Sequence, residues 1–273
     1  NWEGLYEFDG TRFVHRAPAL SQPLLQVSAL HFDGQGRLWA GTDDRGLLVF
    51  EDGNPGSAPR NLTGPAKITA LMADSAGRVW IGTNRGFGYS DAGGQPAFHG
   101  RPELAGDSVK SIFEDSRRRI WVATASGTLL VISDGRSIEL DHRNGLPRVA
   151  LHRVLEADGG SYWVSTARGI LEIRRGAAEE AIEGRRRLLD IVQYGQEDGM
   201  RTTECHGLSQ PAGWKDAEGG LWFPTARGFV RIRPEKARRL DPPKVRIEGA
   251  SIESGSLALG GGVRIEEIGR AHV

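Results

Sequence analysis

Several kinds of residue and segment are scarce in this chain of 273 residues, and each scarcity narrows the class of protein. The only cysteine, Cys205, excludes an intramolecular disulfide framework, and we expect it to be a small, half-buried residue rather than a catalytic thiol. No apolar run approaches the roughly 18 residues of a membrane span. Lys and Arg number 35, as do Asp and Glu, so the excess positive charge on which nucleic-acid binding depends is absent.

Motifs for catalysis and for metal or phosphate binding are missing as well. The triplet at residues 260–262 is glycine-rich but lacks the Lys-Ser/Thr pair of a phosphate loop, and no serine-nucleophile elbow occurs. Metal-ligand spacing is absent among His31, His99, His142, His152 and His206. We therefore expect this chain to use no metal or cofactor and to have no enzymatic activity of its own.

Glycine, by contrast, is abundant at 38 residues, as expected of a chain with many tight turns, and a tryptophan motif recurs. The motif is Trp, any residue, a small residue and Thr. Its five tryptophans are Trp39, Trp80, Trp121, Trp163 and Trp222. Their spacings are 41, 41, 42 and 59 residues, and a near-constant period of this length predicts stacked supersecondary units.

Each unit has the pattern of four short antiparallel strands. In the first complete unit the predicted strands are residues 27–32, 37–42, 47–50 and 60–62, with a turn at 33–36 between the first two. Four such strands per unit of about 41 residues form the blade of a β-propeller. The predicted fold is therefore an all-β propeller, with blades near 27–65, 66–106, 107–147, 148–193 and 194–236.

The motif tryptophans are expected to fill the space between neighbouring blades, since both faces of each blade are buried in a propeller. The residue two positions later shares the tryptophan's face and must be small, because a bulky side chain would push the next sheet away. Gly41, Gly82, Ala123, Ser165 and Pro224 hold this position. In the third unit Arg118 replaces the turn glycine, which predicts a different turn type there.

The spacing of 59 residues indicates an insertion between the fourth and fifth tryptophans. Residues 177–183 are strong helix formers followed by Gly184, so a short surface helix is predicted there. The basic triplet at 185–187 follows several glutamates, and we expect these charges to form ion pairs on a solvated face.

Three copies of the longer pattern Asp-x-x-Gly-x-x-Trp-x-x-Thr, at residues 33–42, 74–83 and 216–225, resemble the two-component regulator propeller repeat. The last blade resembles the closing blade of these sensor propellers in Tyr194, Asp198-Gly199-Met200, Glu204-Cys205, residues 210–213 and residues 221–225. Residues 242–248 look like the start of the small β-sandwich that follows the propeller in this family.

The resemblance implies a domain plan. Residues 1–240 would be the propeller and residues 241–267 the truncated start of an Ig-like sandwich. Residues 268–273 look like a translated sequencing adapter. Five complete blades are predicted, and Gly4-Leu5-Tyr6 matches residues 46–48 of the first unit, which indicates a partial blade before them. Because family propellers commonly have seven blades, we expect upstream blades to be missing.

The resemblance also implies a function. In this family the propeller is the extracytoplasmic, periplasmic input region of a bacterial membrane receptor. A sandwich, a membrane helix and a histidine kinase or diguanylate cyclase output follow it, and the full-length receptor would be a dimer. Ligands of the family include oligosaccharides.

A candidate binding site follows from the turn after each tryptophan strand. Arginine precedes the turn glycine in four copies, and equivalent positions in a propeller lie on one rim. These residues are Arg45, Arg85, Arg168 and Arg227, with Ser126 in the remaining copy. Four guanidinium groups on one rim would suit an anionic small ligand, an anionic oligosaccharide or an acidic partner.

The aspartates of the first turn are expected to be turn caps rather than metal ligands, because each belongs to a different blade. They are Asp33, Asp74, Asp115, Asp158 and Asp216. Two alternatives to a sensor stay open. A glycan-active enzyme of sialidase type would need an arginine triad and a Tyr–Glu pair at the propeller centre. A protein-interaction scaffold would bind no small ligand.

Overall fold

The computed structural model describes residues 5–16, 26–91, 98–101, 103–207 and 210–237, and the backbone of residues 250–252 and 255–257. The chain divides into two compact units, residues 1–236 and residues 237–273. In the second unit the described elements are the antiparallel strands β22 (Ala250–Ile252) and β23 (Gly255–Leu257). Residues 242–248, read as the start of the sandwich, and residues 268–273, read as an adapter, lie outside the described residues.

The first unit consists of antiparallel sheets, each formed by strands consecutive in sequence. A hairpin of β1 (Leu5–Phe8) and β2 (Phe13–Arg16) comes first. Blade 1 has β3 (Val27–Phe32), β4 (Leu38–Thr42), β5 (Leu47–Phe50) and β6 (Arg60–Asn61). Blade 2 has β7 (Ile68–Ala73), β8 (Val79–Thr83), β9 (Gly86–Ser90) and β10 (His99–Arg101).

Blades 3 and 4 repeat this order. Blade 3 has β11 (Val109–Glu114), β12 (Ile120–Thr124), β13 (Leu129–Ser133) and β14 (Arg136–Leu140). Blade 4 has β15 (Leu151–Glu156), β16 (Tyr162–Thr166), β17 (Gly169–Ile173) and β18 (Ile191–Tyr194), with helix α1 (Arg175–Ile182) between its last two strands. Blade 5 has β19 (Trp214–Lys215), β20 (Leu221–Thr225) and β21 (Gly228–Ile232).

The all-β propeller fold predicted from the repeat is confirmed. Blade 5 differs from the prediction, because its described sheet has three strands instead of four. Tyr194, which the sequence placed in that last blade, ends β18 of blade 4. The predicted helix is present but begins at Arg175, earlier than its alanines suggested.

Tryptophans pack between successive blades, as the repeat predicted, in blades 1 to 3, and the tryptophan of blade 4 is fully buried as well. Trp39, Trp80, Trp121 and Trp163 are at most 2% exposed. Trp121 of blade 3 lies in one apolar cluster with Leu151 and Val164 of blade 4. Trp222 does not follow the rule, because it is 36% exposed and no described blade covers its face.

In blades 1 and 2 the first side chain of the next blade packs against the glycine that follows the tryptophan. A Cβ atom added at Gly82 would lie 2.6 Å from Val109 Cγ1, and one at Gly41 would lie 2.6 Å from Ile68 Cγ2. Such separations are well inside van der Waals contact. The absence of a side chain at this position therefore sets how closely the inner strands of two blades approach.

Replacing Gly82 with valine is expected to destabilise the propeller by about 1–3 kcal/mol, since it would overpack the contact with Val109. The control is Gly100→Val in β10 of the same blade, where the nearest atom to an added Cβ is Phe98 Cε1 at 3.6 Å. Urea unfolding followed by tryptophan fluorescence would measure both. Equal effects would show that Gly82 does not set the spacing between blades.

The turn aspartate joins the first turn to the tryptophan. Asp33 Oδ1 accepts backbone N–H bonds from Gln35 at 2.9 Å and Arg37 at 3.0 Å, which is the predicted turn cap. Its Oδ2 accepts bonds from Arg37 Nε and Trp39 Nε1, both at 2.7 Å. Asp74 and Asp115 make the same four kinds of contact.

Two predictions about these turns are wrong. In blade 4 the first turn position belongs to Ala157, whose carbonyl accepts the Gly160 N–H at 2.8 Å, and Asp158 instead pairs with Lys215 at 2.6 Å. In blade 3, Arg118 keeps the same turn type as the glycines, because its N–H bonds to the Asp115 carbonyl at 2.9 Å and its φ is 61°. The left-handed conformation is unfavourable for arginine but accessible.

Candidate ligand-binding face

The propeller has two faces, and the candidate arginines lie on only one of them. The first residue of each inner strand pairs with the threonine of the tryptophan motif, as Val27 does with Thr42 and Ile68 with Thr83. The starts of the inner strands and the turns after the tryptophan strands are therefore at the same end of each blade, and we call this end the upper face. The aspartate turns lie at the opposite end.

The motif threonine builds the turn that carries each arginine. Thr42 Oγ1 donates to the Gly46 carbonyl at 2.8 Å and accepts the Arg45 N–H at 2.9 Å. Thr83, Thr166 and Thr225 hold Arg85, Arg168 and Arg227 in the same way, with N–H to Oγ1 distances of 3.1, 3.0 and 3.3 Å. The threonine that recurs in the sequence thus presents one arginine per blade on the upper face.

The side chains of these arginines differ in exposure. Arg85, Arg168 and Arg227 are exposed, and their guanidinium groups make no hydrogen bond or ion pair with the residues that the structure describes. Arg45 is half-buried. In blade 3 the equivalent Ser126 bonds to Asp107 on the same face. The structure therefore places all four predicted residues on one face, each in its own blade.

A second group of residues on the upper face escaped the sequence analysis. The pairing of the first two strands shifts by one residue in blades 1 to 4, so that one residue of each inner strand is left unpaired near its start. Such a bulge turns its residue out of the ladder. These residues are Ser28, Thr69, Lys110 and His152, and an alignment of the repeats in register would have identified them.

Blade 5 supplies the fifth member through an irregular inner strand. Cys205 forms a bridge with Thr225, the pairing that Val27 and Thr42 make in blade 1, so His206 holds the position after it. Cys205 is fully buried rather than half-buried as expected, and this burial raises the pKa of its thiol to about 11, as suits an inert residue. His206 itself is exposed.

The chain between Cys205 and β19 reaches toward the first blades. The Gln210 amide donates to the Leu71 carbonyl and accepts from the Leu71 N–H, both at 2.8 Å, and the Gln210 N–H bonds to the Ser28 carbonyl at 3.3 Å. The peptide bond from Gln210 to Pro211 is cis. This segment therefore links the inner strand of blade 5 to those of blades 1 and 2.

The groups of a sialidase do not come together in the described residues. The inner strands β3, β7, β11 and β15 carry one arginine, Arg153. A Tyr–Glu pair exists, with Tyr194 Oη 2.9 Å from Glu172 Oε2, but it lies on the outer strands of blade 4. Within the described ranges no group of His, Cys, Asp and Glu could hold a metal ion. No described helix is long and apolar enough to cross a membrane.

Comparison with known structures agrees with the blade arrangement, and the protein is a β-propeller. The extracellular domain of a B. thetaiotaomicron protein described as a one-component system, BT4673, superposes with a TM-score of 0.59 at 16% identity, over 81% of this chain and 29% of that one. PorZ of Porphyromonas gingivalis, a surface component of the type-IX secretion system, superposes with a TM-score of 0.60 at 16% identity, over 85% of this chain and 36% of that one.

A sequence-family comparison identifies the repeat itself. The model of the two-component regulator propeller matches residues 62–85 and 103–126, which contain the first two strands of blades 2 and 3. The chain therefore contains two-component regulator propeller repeats.

The structural matches also include an enzyme. Virginiamycin B lyase of Staphylococcus aureus, in a structure with quinupristin, superposes with a TM-score of 0.55 at 14% identity, over 78% of this chain and 72% of that one. At such identities the superpositions establish the fold alone. No curated protein matches the sequence.

Proposed function

We propose that this propeller is the ligand-sensing, extracytoplasmic region of a bacterial two-component-type receptor. The repeats are those of two-component regulator propellers, and extracellular domains of B. thetaiotaomicron sensor systems share the fold. In this proposal a sandwich, a membrane helix and a histidine kinase or diguanylate cyclase follow in a full-length, dimeric receptor. Ligand binding would shift the output because the ligand binds one arrangement of these parts more tightly than another.

The observation that carries the proposal is the set of arginines on the upper face. Four blades present an arginine in the same threonine-capped turn, and three of these guanidinium groups have no partner among the described residues. Guanidinium groups bind carboxylate and sulfate in a bidentate manner. An anionic oligosaccharide could therefore contact several blades at once.

The double variant Arg168→Ala/Arg227→Ala is expected to weaken binding of such a ligand about tenfold or more, since each charge-assisted hydrogen bond contributes about 1.5–3 kcal/mol. The ligand would first be selected by thermal shift, with neutral, uronate-containing and sulfated oligosaccharides. The control with the same change in charge is Arg12→Ala/Arg136→Ala. Arg12 lies in the β1–β2 turn, and Arg136 begins β14 at the end of blade 3 opposite to the arginine turns.

Different outcomes separate the competing functions. Loss of binding in the Arg168/Arg227 variant but not in the control supports the sensor site. If both variants lose ligand affinity equally, the loss results from the change in net charge and not from a site at Arg168 and Arg227. If no oligosaccharide raises the thermal midpoint, the scaffold alternative is favoured, because a ligand that binds only the folded state must stabilise it.

A further inference from the structure

A cluster of protonatable side chains lies at the upper ends of three adjacent inner strands. Lys110, His152 and His206 hold equivalent positions in blades 3, 4 and 5, one residue after the start of each inner strand. They are close enough that Lys110 and His206 both act electrostatically on the His152 ring. We call these three residues the axial cluster.

No acidic partner compensates the axial cluster among the described residues. Burial, Lys110 and His206 all lower the pKa of His152, and no described carboxylate raises it. Arg119, a buried cation of blade 3, is by contrast paired with both Asp115 and Glu179. Adjacent groups of like charge repel one another unless an anion binds between them, so their juxtaposition favours an anionic ligand.

One side of the His152 ring is enclosed by neighbouring backbone. A Cβ atom added at Gly207 would lie 2.3 Å from His152 Nδ1, so the Gly207 backbone packs directly against this side of the ring. His152 Nδ1 is enclosed and has no hydrogen-bond partner within the described part of the chain. The other ring nitrogen, Nε2, is left to donate to a ligand in the tautomer that carries its proton there.

The same end of the inner strands has further donor capacity. Thr69, the equivalent residue of blade 2, has an enclosed hydroxyl without a partner in the described ranges. Gln210 crosses from blade 5 to Leu71 and Ser28, and its three hydrogen bonds tie this segment to the inner strands of blades 1 and 2. Gly207, which follows His206, and Gln210 therefore both contact inner strands of other blades.

We propose that the axial cluster binds an oxyanion, a carboxylate or sulfate group, between Lys110 Nζ, His152 Nε2 and His206. This deepens the proposed sensing function, because it assigns the acidic group of the ligand to the centre of the upper face and leaves the arginines to contact the rest. The site selects for charge, since an ammonium group and two imidazole N–H groups offer donors without a described acceptor.

The test uses the whole chain with three probes: sodium glucuronate, sodium sulfate, and glucose as the neutral counterpart of glucuronate. Isothermal titration and the imidazole ¹H–¹⁵N signals would be recorded at constant ionic strength. Glucuronate and sulfate are expected to saturate and to shift the His152 and His206 signals, whereas glucose shifts neither. Lys110→Met, which keeps the apolar stem, is expected to raise the dissociation constant tenfold or more.

The control variant is Arg136→Ala, and the thermal midpoint without ligand reports whether each variant is folded. Folded His206→Ala with weakened glucuronate binding provides a second, independent support. Unchanged glucuronate binding in Lys110→Met, or the absence of saturable binding by either anion, overturns the axial site. Stabilisation by a neutral oligosaccharide in that case would leave the sensor proposal standing, so the two proposals fail separately.

Discussion

Replacement of Trp121 with alanine is expected to lower the free energy of unfolding by about 3–5 kcal/mol, the usual range for a buried tryptophan. The Trp121 side chain is fully buried, and it packs in one cluster with Leu151 and Val164 of the next blade. Its ring lies 4.3 Å from that of Tyr162, between centroids. The variant therefore loses contacts between blades as well as contacts within one blade.

Trp222→Ala is the matched control, because Trp222 holds the same position in blade 5 and bonds to Asp216 as Trp121 bonds to Asp115. No described blade packs on the exposed face of Trp222. We therefore expect its replacement to lower the free energy of unfolding by about 1 kcal/mol or less. Guanidinium unfolding monitored by far-UV circular dichroism would measure both. Similar losses would mean that packing between blades contributes little beyond the sheet itself.

Replacement of Asp115 with alanine is the second change with a large expected effect, about 3–5 kcal/mol, because it leaves several buried donors without their acceptor, each at a cost of about 1–3 kcal/mol. Asp115 Oδ2 accepts bonds from Arg119 Nε at 2.7 Å, Trp121 Nε1 at 2.9 Å and Tyr162 Oη at 3.0 Å. Arg119 would keep its bonds to Glu179 of α1, at 2.8 and 2.9 Å, and one to Tyr162.

The same carboxylate predicts a dependence of stability on pH. Burial acts to raise the pKa of Asp115, but the hydrogen bonds from Trp121 and Arg119 outweigh it and hold the pKa below its ordinary value. A lowered pKa in the folded state means that the stabilisation is present above the ordinary aspartate pKa of about 4 and is lost as the pH falls through the folded-state pKa. Asp115→Asn should show less of this acid-dependent loss.

Unfolding curves at pH 7 and pH 3 would measure both effects, with Asp216→Ala as the control. Asp216 makes the equivalent bond to Trp222 at 2.7 Å, but on the exposed blade, where water can replace it. We expect a clearly smaller loss for this variant. If Asp216→Ala lowered the free energy of unfolding as much as Asp115→Ala, the large effect of Asp115→Ala could not be due to the burial of its hydrogen bonds.

Much of the fold was predictable because each blade uses the same short sequence pattern to pack against the next blade. The tryptophan, the small residue after it and the turn aspartate recur because each inter-blade space has the same dimensions. The prediction was wrong where a copy departs from the repeat. Asp158 stands one residue away from the turn position, and Trp222 has the motif without a described blade over its face.

Contacts between blades were not predictable, because they join residues that only the stacking brings together. Ser75 donates its N–H and hydroxyl to Glu114 of the next blade, both at 2.7 Å, and Ser116 makes the same pair of bonds to Glu156. The glutamates before the basic triplet were expected to pair with it, and Arg185 and Arg186 do so. Glu179, however, pairs with Arg119 of blade 3 and so holds α1 against that blade.

The candidate site also has one part that the sequence analysis found and one part that it missed. The arginines on the upper face could be found from sequence because one turn, capped by one threonine, repeats at a constant distance from the tryptophan. The axial cluster was missed, since Lys110, His152 and His206 differ in type and are recognised as equivalent only when the repeats are aligned in the register of their inner strands.

The sequence by itself determined the blade, its repeat and the turn that presents an arginine, because these depend on interactions within about 15 residues. Only the tertiary structure decided which tryptophans are buried, which ion pairs join blades and which polar side chains converge without an acidic partner. Those properties depend on how one blade stacks on the next and on the segment around Gln210, which bonds to Leu71 of blade 2.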